Sequence, residues 1–273
     1  MKKILTFALI NLALLGGQAF SQSATTTTQP TAAQPTITQP QAINPDRVLL
    51  IGNSYLYYND SLHNYLRRMV VAAEPAKGKT LQYKSATIGG ASLAHHNIDW
   101  LTNPGQIGVK EPFELVILQG LSNDPLTEKG QASFRTAAQA ATQTIANRGG
   151  KVAIYMVHAY VAPHKQTNPD NNKKIRDYYT QLGNELNVMV LPVGVAFEEA
   201  YKRHPELKLH KSYDGSHPSA EGTYLAAATV YGALYGKPIS GNTFAAFGEV
   251  DPETIKKLQK VADDTVKSYY GRP

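Results

Sequence analysis

The chain has 273 residues, with 27 Lys and Arg against 21 Asp and Glu, and it contains no Cys. Without Cys there can be no disulfide framework, so the fold must rest on an ordinary hydrophobic core. The basic residues fall in scattered pairs (Arg67-Arg68, Lys173-Lys174, Lys256-Lys257), the pattern of a solvated surface and not of a nucleic-acid footprint.

In chain order, Lys2 and Lys3 precede an apolar run from Ile4 to Leu15, and Ala19-Phe20-Ser21 follows. A basic start, a short apolar stretch and an A-x-S site predict a secretory signal peptide over 1–21. The run is too short to span a bilayer comfortably, so export to the periplasm or outside the cell is expected, with no stable membrane anchor. Loss of Lys2 and Lys3 leaves 25 basic residues against 21 acidic ones. Residues 22–44 are almost all Thr, Gln, Pro, Ala and Ser, a composition with too little apolar surface to offset its ordering entropy, which predicts a disordered linker. Residues 45–273 have the size of one domain.

Within that domain, β-rich runs at 47–52, 81–89, 113–120, 151–157 and 187–193 alternate with helical patterns at 61–74, 127–148, 171–186 and 194–204. The first helix carries Leu62, Leu66, Met69, Val70 and Ala73 on one stripe, with Asp60 expected as its N-cap. Two more helices close the chain. One begins after Ser219 as N-cap and stops near Gly236, and the other spans about 251–269. Continuous aliphatic strands alternating with helices predict an α/β class fold with a parallel sheet covered on both faces. Right-handed crossovers make it a three-layer α/β/α sandwich, five strands in the flavodoxin-like order 2-1-3-4-5. In that order a crevice opens at the carboxyl ends of strands one and three, where "VLLIGNSYLYYND" (48–60) turns out of the sheet at Ser54. The "AKGKT" at 76–80 precedes a strand instead of following one and is rejected as a phosphate loop.

Four stretches fall where they can meet over this crevice: Ser54, "IGGASLAHH" (88–96), "LQGLSND" (118–124) and "YDGSHPSAEG" (213–222). A serine needs a base to become a nucleophile, and imidazole is the usual one near neutral pH. Asp214 and His217 form a D-x-x-H pair in which the carboxylate can orient the ring. Gly89 and Gly90 let backbone N–H groups come close to a ligand, and an amide near position 123 adds a donor; these are the parts of an oxyanion hole. His95 and His96 are adjacent and point two ways, with no third ligand at useful spacing, so they are expected as substrate contacts and no metal is expected.

"IGNSYLYYND", "IGGASL", "LQGLSND" and "DGSHPSAEGTYLAA", in this order, resemble the four blocks of the SGNH (GDSL-type) hydrolase family. The resemblance covers 47 to about 236 and implies the sandwich fold reached above. It implies Ser54 as nucleophile, Asp214 and His217 as its partners, and an oxyanion hole from Ser54, Gly90 and Asn123, with no cofactor. The first block has Asn53 where Asp is commoner. The third is one residue longer than the usual G-x-N-D, which leaves Ser122 and Gln119 as rivals to Asn123. The expected function is a secreted serine esterase working through an acyl-enzyme on a small ester or an acylated glycan, an acetylated polysaccharide before others. A non-catalytic carbohydrate-binding or envelope-assembly protein on the same fold, or an acyltransferase, are the alternatives.

Overall fold

From Arg47 the chain dives into the interior, and Val48, Leu49, Leu50 and Ile51 are all fully buried. A strand buried on both faces has to lie inside a sheet that is itself covered on both sides. This strand, β1 (Arg47–Gly52), pairs in parallel with β2 (Gln82–Thr87) on one side and β3 (Leu115–Leu118) on the other, so that Leu50 stands opposite both Ser85 and Ile117. Next come β4 (Lys151–Tyr155) and β5 (Met189–Leu191), giving the parallel order β2-β1-β3-β4-β5. The order and class are those expected from the sequence. The observed strands are shorter than the apolar runs at their carboxyl ends, because residues such as Gln119 and Gly120 leave the ladder to build loops.

This computed structural model describes Met1 and residues 33–272. The chain divides into two compact units, Met1–Thr31 and Ala32–Pro273. The expected signal peptide and the first part of the expected linker lie outside the described residues. Eight α-helices are described: α1 (Ser54–Tyr57), α2 (Leu62–Ala73), α3 (Ile98–Thr102), α4 (Glu128–Ala146), α5 (Asn171–Leu186), α6 (Val193–Arg203), α7 (Ala220–Tyr235) and α8 (Pro252–Tyr270). Because β2 lies to one side of β1 and β3 to β5 to the other, right-handed connections put α2 on one face and α4 and α5 on the opposite one. Helix α7 is buried on every side from Gly222 to Tyr235 and packs against α2, α6 and α8; a helix apolar all round has to be an interior one. Ser219 caps it by accepting from Gly222 N–H, and Gly236 ends it in the left-handed conformation, φ 61°. Among the described residues no helix is long and apolar enough to cross a membrane.

Two local expectations are corrected. Asp60 does not cap α2: it has φ 63°, and the N-cap position belongs to Ser61, whose hydroxyl goes to the Leu56 carbonyl and to His63 Nδ1. The described part of the expected linker, 33–44, is irregular but lies against the domain. Asn184 at the end of α5 accepts from Thr36 N–H at 2.8 Å and donates to the Gln34 carbonyl at 2.9 Å, and Arg272 Nε donates to the Thr38 carbonyl at 2.7 Å. Ile37 and Ala42 are partly buried against the core. Composition signals low apolar content, but it does not register two apolar residues spaced to meet a groove.

These contacts yield a prediction. A chain beginning at Pro45 should melt about 4–8 °C below one beginning at Ala33, for a loss of roughly 2 kcal/mol in a domain of this size. Equal melting temperatures would show that the tail contacts contribute nothing to stability.

Candidate active site

The site is built on the end of β1. A Cβ on Gly52 would collide with the Gln119 amide, so only glycine lets Gln119 cross beneath the turn. Gln119 is fully buried; its Oε1 accepts from Asn53 N–H at 2.9 Å, and its Nε2 donates to Asn53 Oδ1 at 3.0 Å and to the Gly120 carbonyl. Asn53, also buried, donates from Nδ2 to the carbonyls of Ala91 at 3.1 Å and Gly120 at 3.0 Å, while its Oδ1 accepts from Tyr55 N–H at 3.3 Å. One amide side chain thus joins the loops after β1, β2 and β3. A carboxylate, having no donor, could not make the two bonds to carbonyls.

Ser54 opens α1 immediately afterwards, nearly buried, with its backbone N–H unpartnered among the described residues. Its Oγ lies 2.9 Å from His217 Nε2, and His217 Nδ1 lies 2.6 Å from Asp214 Oδ2. The other carboxylate oxygen accepts from the backbone N–H groups of Ser216 at 2.8 Å and His217 at 3.1 Å. Burial pushes the Asp214 pKa up, but the imidazole and the two backbone donors outweigh it, and the carboxyl ends below its ordinary value. An ionised Asp214 accepts a hydrogen bond from Nδ1–H, which keeps that proton on Nδ1, so Nε2 presents its lone pair to the Ser54 hydroxyl. Tyr58 stacks on the His217 ring, centroids 4.3 Å apart and 15° from parallel. The loop turns tightly at Gly215, φ 63°, where any Cβ would overlap the Val161 carbonyl.

The structure brings Ser54, Asp214 and His217 together and separates the three rivals for the last oxyanion donor. Gln119 is consumed in holding Asn53. The Ser122 hydroxyl accepts from Tyr160 OH at 2.8 Å. Asn123, half-buried, has a side-chain amide with no hydrogen-bond partner among the described residues, and the same holds for the N–H of exposed Gly90, φ 68°. His95 and His96 do not hydrogen-bond or stack with the Ser54–His217–Asp214 chain. His95 is exposed, its Nδ1 accepting from Ser92 N–H at 3.1 Å. His96 is buried with Nε2 unpartnered and lines a groove of about 710 Å³ between residues 93–99 and α4. Among the described residues no group of three or more His, Asp or Glu could hold a metal ion.

Sequence reasoning missed the supporting residues: Asn53 as a three-way staple, Gln119 beneath it, and Tyr55, Asn59 and His158 around the loop that carries His217. One signal existed. A glutamine ending the run "LVIL" and a histidine ending "IYMV" carry polar groups into positions where the alternation gives no exit to solvent.

The fold is that of the SGNH hydrolases. No model of a known protein family matches the chain, and no curated protein does. Solved structures do match. A DUF4886 family protein from Bacteroides uniformis is 18% identical with a TM-score of 0.58, over 83% of this chain and 95% of its own. A proposed SGNH hydrolase from Slackia heliotrinireducens is 20% identical with a TM-score of 0.55, over 70% of this chain and 100% of its own. The acetyl xylan esterase AlAXEase is 20% identical with a TM-score of 0.53, over 68% of this chain and 98% of its own.

Two predictions follow from the buried polar groups. Asn53→Asp should lower stability by about 2–4 kcal/mol, since a buried carboxylate would face the Ala91 and Gly120 carbonyls; chemical denaturation reads this, and an unchanged midpoint would refute the staple. The second concerns acid. Burial pushes His210 down to about 4 from 6.5 and takes fully buried His158 well below its ordinary value, the neighbouring His210 adding to the effect. Below pH 6.5 the unfolded chain binds these protons and the folded one does not, so stability is lost as pH falls, by up to about 1.4 kcal/mol per pH unit per histidine. The melting temperature should drop between pH 6.5 and 4.5, and more gently in His210→Gln; identical slopes would remove His210 from the account.

Proposed function

We propose that the protein is an exported serine esterase of the SGNH type. The observation that carries this reading is the continuous hydrogen-bond chain Ser54 Oγ–His217 Nε2 and His217 Nδ1–Asp214, 2.9 and 2.6 Å, at the carboxyl end of the central strand. Ser54 Oγ attacks the ester carbonyl while His217 Nε2 takes its proton, and Asp214 stabilises the imidazolium that forms. The negative oxygen is received by the N–H groups of Ser54 and Gly90 and by the Asn123 amide, donors with no acceptor among the described residues. The alcohol leaves with the proton from His217. Water, deprotonated by the same ring, then cleaves the acyl-enzyme and releases the acid.

An acylated glycan is the substrate class this reading favours. Tyr57 and Tyr213 are exposed, at 41% and 68%, flanking Tyr58 on the imidazole, and exposed aromatic faces suit the apolar faces of sugar rings. One structural neighbour is an acetyl xylan esterase. The basic, apolar and small-residue start of the chain supports export.

Ser54→Ala and His217→Ala should each abolish hydrolysis of aryl acetates and acetylated xylan with little change in stability, and the double variant should be no worse than either. A fluorophosphonate should label wild type and not Ser54→Ala. Asn123→Ala should lower kcat by about 10²–10³ with KM nearly unchanged. Unlabelled wild type, or turnover by Ser54→Ala, would overturn the reading in favour of a non-catalytic protein or another nucleophile.

A further inference from the structure

His217 sits between two residues that are tied to the segment carrying Ser54. On one side, the Ser216 hydroxyl is 2.8 Å from Tyr55 OH, and the Ser216 carbonyl accepts from His158 Nε2–H at 2.9 Å. On the other side, the Pro218 carbonyl accepts from Asn59 Nδ2 at 2.8 Å, and the same amide reaches Thr223 Oγ1 at 2.9 Å. Tyr55 directly follows Ser54, and Ser216 directly precedes His217. The Tyr55–Ser216 bond therefore runs alongside the Ser54–His217 bond and sets its register. Asp214 orients the imidazole but does not by itself fix where residue 217 stands relative to residue 54.

His158 is the most telling group. It is fully buried, its ring lying flat between Tyr55 (4.3 Å, 4°) and Phe197 (4.2 Å, 5°). Its Nδ1 has no partner among the described residues, an arrangement that works against stability. A phenylalanine would fill the same slot between two aromatic rings without that penalty. What the imidazole alone supplies is one donor, and that donor is spent on the Ser216 carbonyl. Asn59 also costs stability: with Asp60 and Ser61 it forms three consecutive left-handed residues that bear a Cβ, at φ 53°, 63° and 68°. Both costs fall on groups that grip the neighbours of His217.

We propose that Tyr55 and His158 are positioning residues that act through Ser216 to hold His217 Nε2 on the Ser54 hydroxyl. The proposal rests on the esterase reading above. Neither side chain needs to touch substrate. A shift of about 1 Å between base and nucleophile costs roughly 10²-fold in rate, and the two loops join residues from opposite ends of the domain.

The test compares wild type, Tyr55→Phe, Ser216→Ala, the double variant, His158→Phe and His158→Gln on an aryl acetate, with active sites counted by fluorophosphonate so that rates refer to folded enzyme. Tyr55→Phe and Ser216→Ala should each lower kcat about tenfold with KM within about twofold, and the double variant should fall no further, because one bond is removed in each case. His158→Phe should lower kcat by at least about tenfold, and His158→Gln, whose Nε2 reaches about as far as the histidine's, should recover most of it. Variants that melt earlier but keep kcat per site within twofold of wild type would overturn the proposal, as would losses that multiply to about a hundredfold in the double variant. If the His158 variants fail to fold, Tyr55→Phe and Ser216→Ala decide alone. Ester hydrolysis that Ser54→Ala abolishes and Tyr55→Phe leaves untouched would sink the positioning role and spare the esterase; hydrolysis absent from wild type would remove both.

Discussion

Asn53 and Gln119 exchange hydrogen bonds at the point where β1 and β3 leave the sheet, and the loops above them depend on that exchange. Parallel strands end together on one edge, so a doubly wound sheet delivers several chain segments to one rim. It does not say how those segments should be held once the ladder stops. Each carries backbone donors and acceptors that lose their strand partners and must find others, since buried unpaired groups are costly. The side-chain amide of Asn53 meets that need for three loops at once, with two donors and an acceptor in one plane. Gln119 beneath it completes the count, and Gly52 leaves the room. Ser54 is thereby placed at the start of a short helix with its own N–H unclaimed.

The fourth loop arrives by a different route. It comes from between α6 and α7, so no strand carries it to the rim, and its position is set by bonds to the other elements. Val161 N–H donates to the Gly215 carbonyl at 2.9 Å, and Lys211 N–H donates to the His217 carbonyl at 2.8 Å. An isolated bridge joins His210 to Pro218. Helix α7 starts from this loop and runs straight into the core, so the loop is anchored at its far end by a fully buried helix. A rigid element at one end and polar clamps at the other leave little freedom to the intervening imidazole, as a preorganised site requires. Placing buried histidines and left-handed residues here exchanges some stability for that fixity.

Much of the fold was legible because its signals are local and repetitive. Apolar runs of four to six residues, helical stripes, Ser219 before α7 and Gly236 after it each declare an element without reference to the rest. The pairing of Asp214 with His217 was legible in their D-x-x-H spacing, and the resemblance of the four blocks implied that they meet Ser54, whose own place at the rim follows from strand order. The supporting groups were not. Gln119 and His158 each stand at the end of an apolar run, and nothing in their spacing names a partner 66 or 58 residues away. Asp60 looked like a cap because acidic residues before helices usually are, but the chain enters α2 through left-handed backbone that serves Asn59. The tail at 33–44 misled for a similar reason. Composition averages over a segment, and docking depends on Ile37, Ala42 and a few backbone groups meeting Asn184 and Arg272.

The two departures from the four-block pattern that the sequence resembles, Asn53 in the first block and the longer third block, meet at one point in the structure. The third block turns its Gly120 carbonyl toward position 53, where it receives both the Asn53 amide and that of Gln119. The second block turns the Ala91 carbonyl toward the same point. Two carbonyls converging on one side chain demand donors, and at neutral pH an aspartate offers none. Asparagine therefore belongs with this particular path of the third block, in which Asp124 folds back to accept from Leu121 N–H at 2.7 Å. Burial raises the Asp124 pKa to about 6, so the acid of this block is itself held at a cost, by one backbone donor. With Asp124 turned inward to the backbone and Gln119 turned under Asn53, Asn123 is the amide of this stretch left without a partner among the described residues. The longer third block thus sends Gln119 and Asp124, on either side of position 123, into structural bonds.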